Sequence, residues 1–297
     1  MAMVQKPAAD VVSLFRRRPV GEDEPEVQVG LPPTTDAATA GGRAKPGIDL
    51  SGKPKVLFVI GPGGTGKTAE VRWIGWRMAE AGREALLAAL DPQNRSLATW
   101  FDGVEMPPTS DGTQTARWLR ELLGFLMQQP SSAVLDFGGG DTALAKLIDL
   151  APAIAATMEA AGVIPVALYM VAPRQDDLAS LESLEAAGFQ PKATAIVLNE
   201  GRVDSTMARD EAFARVLRHS TFRAAVARGA VPVWMPRLEP EVMQEIEGKR
   251  LTFGQARDGF VPDGKTFAPI GGFERSMVNR WLERMEQEHE PIRSWLP

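Results

Sequence analysis

An unbroken apolar run, Val56-Leu57-Phe58-Val59-Ile60, leads directly into Gly61-Pro62-Gly63-Gly64-Thr65-Gly66-Lys67-Thr68, and the residues over 68–81 read as a helix. A short run with no polar position suits a strand covered on both faces, the setting of a parallel sheet. The eight residues that follow match G-x-x-x-x-G-K-[ST] where that motif has physical meaning, between a buried strand and the start of a helix. Glycines there let successive backbone N–H groups turn inward around a phosphate, and the helix N-terminus adds partial positive charge. Gly61, Gly63, Gly64, Thr65, Gly66 and Lys67 are therefore candidate phosphate-loop residues, with Lys67 reaching β- and γ-phosphates. Thr68 is the candidate hydroxyl ligand of Mg²⁺.

Further apolar runs recur over 85–90, 133–137, 163–171, 193–198 and 231–235, separated by helical stretches over 115–127, 141–161, 177–187 and 210–228. Strand alternating with helix implies right-handed crossovers, so the expected class is α/β: a doubly wound, mostly parallel sheet of the P-loop NTPase type with helices on both faces. A final amphipathic helix carries Phe273, Met277, Trp281, Leu282 and Met285 at helical spacing and is expected to pack on the sheet as core. Residues 1–50, rich in Pro, Gly, Ala and Thr, read as a disordered N-terminal arm, and 51–297 as a single domain that carries the phosphate loop. Within the arm, Leu14, Phe15 and Arg16-Arg17-Arg18 are either inert or a docking element.

The absence of Cys removes disulfides, thiolate metal sites and Cys nucleophiles, and only 2 His remain, so the chemistry must use carboxylates, Lys, hydroxyls or backbone. The formal net charge of −5 gives no global attraction to nucleic acid or anionic lipid. No stretch approaches the roughly 18 apolar residues of a spanning helix. After Arg16-Arg17-Arg18, Pro19 and Glu22-Asp23-Glu24 stand where an export signal needs an apolar segment, and the expected location is cytoplasmic.

Two further acids are candidates. Asp136 ends the run Ala133-Val134-Leu135 and resembles a carboxylate that holds Mg²⁺ through its water shell, the alternative being a loop or capping carboxylate. Gly138-Gly139-Gly140 follows, a run whose amides can approach a γ-phosphate, and Asp141 is a helix-cap candidate. Asp91 ends the second run and opens Asp91-Pro92-Gln93-Asn94, readable otherwise as a strand-end turn.

The phosphate loop followed by Asp91-Pro92-Gln93-Asn94 and the Trp100-Phe101 pair resembles the ParA/MinD family of dimerising P-loop ATPases, with the plasmid-partition and conjugal-transfer ATPases of the ParA and TraL kind as the most similar branch. Ile196-Val197-Leu198-Asn199 and Val233-Trp234-Met235-Pro236-Arg237 resemble the family segments that flank the adenine, which makes Asn199 and Pro236 candidate base contacts. By this resemblance Asp91 orients the attacking water, Asp136 supports Mg²⁺ and Gly139 offers an amide to the γ-phosphate, in a slow, partner-stimulated hydrolysis of ATP to ADP and phosphate. The implied cofactors are ATP and Mg²⁺. The implied partners are a second copy in an ATP-dependent homodimer, non-specific DNA and a protein that stimulates hydrolysis. Arg215, Arg218, Arg223 and Arg228 are candidate DNA contacts in one helical region, or else a solvated basic face.

The chain departs from the family at two places. Pro62 stands where the family carries a second lysine that reaches across the dimer, and proline has no N–H to offer a phosphate. Ala89 replaces the first acid of the family's Asp-x-Asp pair. Competing readings are a P-loop small-molecule kinase, which Pro62 favours and Asp91-Pro92-Gln93-Asn94 opposes, and a nucleotide-gated accessory protein with negligible hydrolysis.

Overall fold

The computed structural model describes residues 47–91, 97–139, 142–204 and 206–297. Six strands, β1 (Lys55–Ile60), β2 (Leu86–Ala89), β3 (Ala133–Asp136), β4 (Ile164–Val171), β5 (Ala193–Asn199) and β6 (Val231–Met235), form one sheet in the order β2-β3-β1-β4-β5-β6. Every pairing is parallel. The chain winds to one side of β1 through β2 and β3 and to the other through β4 to β6, which makes the sheet doubly wound and puts β1 at the point where the order reverses. Crevices open at such points, beyond the C-terminal ends of the strands.

Alternation along β1 explains the two layers. Leu57 and Val59 join a core built with α1 (Lys67–Ala81), α9 (Pro240–Lys249), α10 (Phe253–Asp258) and α11 (Gly272–Glu288), while Val56, Phe58 and Ile60 face the opposite core. That second core contains α2 (Gly112–Gln128), α3 (Ala143–Leu150), α4 (Ile154–Ala160), α5 (Ala179–Ala186), α7 (Ala214–Arg218) and α8 (Ser220–Ala227); the short α6 (Arg209–Ala212) lies just before α7. A strand with no polar position is thus one that has helices on both sides. Asp111 starts α2 by accepting from the Thr113 and Gln114 amides at 3.1 and 2.9 Å.

The six expected strands are all present, but several helices differ from the sequence expectation. The stretch 141–161 is two helices, α3 and α4, because Pro152 removes a donor and pushes Ala151 out of the helical region to φ −144°. Asp141 lies outside the described residues, and Thr142 occupies the N-cap of α3. The stretch 177–187 opens as a 3-10 turn, Gln175–Leu178, before α5.

The stretch 210–228 divides into α6, α7 and α8, with His219 extended at ψ 141° and its ring accepting from the Thr221 amide. The apolar phase explains that break: a helix continued from Phe213 and Val216 would turn Ser220 and Arg223 to the core, whereas the residues actually buried are Phe222 and Ala225. In α11, Val278, Trp281, Leu282 and Met285 are buried as core, but Phe273 and Met277 are exposed.

The C-terminal segment closes over the start of the described chain. Trp295 donates its indole N–H to the Ile48 carbonyl at 2.7 Å, Gly47 bonds Pro291, and Lys55 Nζ donates to the carbonyls of Leu50 and Ser294 at 3.0 and 2.8 Å. Of the expected N-terminal arm, residues 1–46 lie outside the described residues.

Candidate functional site

The turn from β1 into α1 carries the glycine motif, and its backbone requires glycine where it matters most. Gly66 is the N-cap of α1 at φ 99°, and a Cβ there would sit 2.3 Å from Asn199 Nδ2. Asn199, at the end of β5, donates from that Nδ2 to the Thr65 carbonyl at 2.8 Å, while its Oδ1 accepts the Gly201 amide at 2.8 Å. One buried amide therefore ties the phosphate loop to the turn after β5.

Lys67 Nζ donates to the Gly61 and Pro62 carbonyls at 2.8 and 2.9 Å, spanning the loop mouth and leaving its third N–H for the cleft. Burial lowers its pKa, opposed by the charges of Asp136 and then Asp91. Thr65 Oγ1 closes the loop on itself by donating to Pro62 at 2.8 Å.

Neighbouring strand ends bring the acids to the same place. The β1–β3 pairing puts Asp136 beside Val59, and Thr68 Oγ1 donates to its Oδ2 at 3.1 Å. Burial pushes the Asp136 carboxyl up to about 6, further raised by Asp91 but held down by the Thr68 hydrogen bond and the Lys67 charge. Asp91 follows β2 and packs on Gly138, where a Cβ would sit 2.9 Å from that of Asp91. Gly139 lies directly on the phosphate loop: a Cβ there would meet Gly63 N at 2.4 Å and Gly63 Cα at 2.6 Å, so only glycine lets the two backbones approach this closely. Gly140, Pro92, Gln93 and Asn94 fall outside the described residues.

Gly66, Lys67, Thr68, Asp91, Asp136, Gly138 and Gly139 line one cleft of about 480 Å³, together with Gly63, Gly64, Asn199, Arg202, Met235, Pro236, Met243 and Trp281, whereas the motif candidates Gly61 and Thr65 do not border it. Its polar end is the loop, Lys67, Thr68, Asp91, Asp136 and Gly139. Its apolar end is the β6–α9 connection, where the Trp281 indole donates to the Pro236 carbonyl at 2.8 Å and fixes that wall. Among the described residues no group of three or more His, Asp or Glu is placed to hold a metal. A hydroxyl and a carboxylate in contact fit Mg²⁺ well, since this ion keeps several waters and takes one or two protein oxygens beside phosphate oxygens.

Of the sequence candidates, Gly63, Gly64, Gly66, Lys67, Thr68, Asp91, Asp136, Gly139, Asn199 and Pro236 all border this cleft. The four arginines do not share a helix. Arg215 and Arg218 are on α7, Arg223 is on α8, and Arg228, at the end of α8, is ion-paired with Glu185. Among the cleft residues that no motif announced are Trp281, which reads as core and is also the wall behind Pro236, and Arg202, which sits in the turn after β5.

No protein-family model and no curated protein matches the chain. Among solved structures it is similar to the signal recognition particle receptor FtsY of Elizabethkingia anophelis, at 15% identity and TM-score 0.39 over 78% of this chain and 66% of that one. It is also similar to a chain of the MinC:MinD cell division protein complex of Aquifex aeolicus, at 14% identity and TM-score 0.42 over 77% and 96%. The chain thus spans a little under two thirds of the receptor's length. Its own topology, with the phosphate loop after the central strand of a six-stranded parallel sheet, is that of an α/β P-loop NTPase-like fold. Among the described residues no helix is long and apolar enough to cross a membrane.

Proposed function

We propose that the chain is a ParA/MinD-type ATPase, a nucleotide-dependent switch that hydrolyses ATP to ADP and phosphate in plasmid partition or conjugal DNA transfer. The observation that carries this reading is the convergence of Lys67, Thr68, Asp91, Asp136 and Gly139 at the ends of three adjacent strands around one cleft. Phosphoryl transfer asks mainly for positioning and charge neutralisation. The loop amides and Lys67 hold the phosphates. Thr68 and Asp136 hold Mg²⁺, the latter through water, and that ion neutralises charge on the phosphate oxygens. Asp91 orients the attacking water, and Gly139, stacked on the loop at Gly63, offers its amide to the γ-phosphate. Asn199 and Pro236 border the adenine.

The nucleotide state would control dimerisation, contact with non-specific DNA and response to a stimulating partner protein. Arg215, Arg218 and Arg223 are exposed and available to DNA phosphates, whereas Arg228 is engaged by Glu185.

The test is phosphate release and sedimentation with ADP and ATP for wild type, Lys67→Ala and Asp91→Ala. Lys67→Ala is expected to lose ATP binding, and Asp91→Ala to bind ATP, accumulate the ATP-state assembly and turn over at least 100-fold more slowly. Equal turnover in Asp91→Ala and wild type would remove Asp91 from the mechanism. Pro62 favours a second reading, a small-molecule kinase, for which the protein would bind ATP but sediment as a monomer in every state.

A further inference from the structure

We propose that Arg202 is a second cationic phosphate ligand, supplied within one chain, that stands in for the cation Pro62 cannot provide. This rests on the nucleotide-binding reading above and assigns a residue that neither the motif nor the resemblance contains.

Position is the first argument. Arg202 ends the 3-10 turn Glu200–Arg202 that follows β5, lines the same cleft as Gly63, Gly64 and Lys67, and puts Nη2 3.3 Å from where a Cβ on Gly64 would sit. Gly64 adopts φ 78° and has no side chain, so the guanidinium lies against the bare crest of the phosphate loop.

Anchoring is the second. Asn199 bonds the Thr65 carbonyl with one end of its amide and the Gly201 N–H with the other, both at 2.8 Å, so the residue before Arg202 is tied to the loop it faces. On the other side the Val203 carbonyl accepts from Arg237 Nη2 at 2.6 Å. The backbone carrying Arg202 is held from both sides while its side chain remains exposed.

Availability is the third. Among the described residues Arg202 makes no ion pair or hydrogen bond, although acids flank it in sequence. Glu200 is taken by Arg209 at 2.6 Å and Arg284 at 3.2 Å, and Asp204 accepts from the Thr206 hydroxyl and amide at 2.6 and 2.9 Å. The five guanidinium N–H donors of Arg202 are therefore uncommitted, in a fork that suits phosphate oxygens. Lys67, by contrast, spends two of its three donors on loop carbonyls.

The experiment measures Mg²⁺-ATP and Mg²⁺-ADP binding by calorimetry, at protein concentrations where sedimentation shows monomer, for wild type, Arg202→Ala, Arg202→Lys and Lys67→Ala. The side chain is exposed, so Arg202→Ala is expected to melt as wild type does. It should bind ATP about 10-fold or more weakly, the size of a lost charge-assisted hydrogen bond. Arg202→Lys is expected to recover part of the affinity, because it keeps the charge but not the fork. ATP affinity unchanged in Arg202→Ala while Lys67→Ala loses it would overturn the proposal and leave the nucleotide reading intact. An effect confined to dimer formation, with monomer affinity unchanged, would also overturn it by showing action across an interface. No ATP binding by wild type would overturn both.

Discussion

Glu70 lies in the first turn of α1, three residues beyond Lys67, and its carboxylate is fully buried against His289 at the end of α11, with Oε1 3.0 Å from Nε2. The imidazole Nδ1 is 3.0 Å from the Met285 carbonyl, which can only accept, so Nδ1 carries a proton; Nε2 faces the Glu70 carboxylate without an aligned hydrogen bond, so the pair is held by charge. The Trp73 ring packs against the imidazole, the two centroids 4.5 Å apart. Burial lowers the His289 pKa, but the Glu70 charge and the Met285 carbonyl outweigh it and hold the pKa above its ordinary 6.5.

Glu70→Gln removes the counter-charge and leaves His289 buried. Breaking a buried pair on one side costs about 3–5 kcal/mol, and for a unit of this size each kcal/mol moves Tm by about 2–4 °C, so a loss of about 6–20 °C is expected at pH 5.5. The sign with pH follows from linkage. A raised folded-state pKa contributes stability that is complete below about 6.5 and is lost as pH rises through the raised value. In Glu70→Gln burial, the largest influence on His289, is opposed only by the Met285 carbonyl and the Glu286 charge, so the pKa falls and His289 opposes folding increasingly as pH falls below 6.5. The gap between wild type and variant should thus be widest at pH 5.5 and narrow by pH 8.5, read from melts by circular dichroism. Glu70→Met/His289→Phe, uncharged on both sides, is expected to recover most of the loss. A Glu70→Gln melt within 2 °C of wild type throughout, or a gap independent of pH, would refute the charged-pair argument.

Trp281→Phe keeps the aromatic bulk but leaves the Pro236 carbonyl without its indole donor, a loss of about 1 kcal/mol. Calorimetry is expected to show ATP binding weakened about fivefold through a looser base wall; unchanged affinity would separate that wall from the nucleotide. For Arg215, Arg218 and Arg223 together changed to Ala, DNA retention at low salt should fall and the salt slope should lessen by roughly 0.9 for each DNA phosphate no longer neutralised. An identical slope would make this surface a solvated basic face.

The divided helices mark how far sequence periodicity reaches. The α3–α4 break was legible, since Pro152 stands inside the apolar pattern and forbids continuation. The α7–α8 break carries no Gly or Pro; it shows only as a two-residue slip of the apolar phase between Val216 and Phe222, which a reading of charge spacing along one helix overlooks. Phe273 and Met277 lie on the early turns of α11 and stay exposed, because the buried face of that helix begins at Val278. The hydrophobic pattern identified a helix there but not how much of it meets the sheet.

What the sequence by itself determined was local. Apolar runs with no polar position required strands covered on both faces, and a glycine-rich turn between such a strand and a helix required a tight loop at a helix N-terminus, where backbone amides are able to turn toward an anion. These properties follow from neighbouring residues, so they can be read from neighbouring residues. Only the tertiary structure decided which distant groups meet. The strand order places β5 two strands from β1, and Asn199 then draws the turn bearing Arg202 onto the phosphate loop. The return of α11 brings His289 to Glu70 and the Trp281 indole to Pro236. No periodicity encodes those encounters, because they depend on how whole elements stack, and it is they that place a cation over the loop and a charged pair beneath the helix it begins.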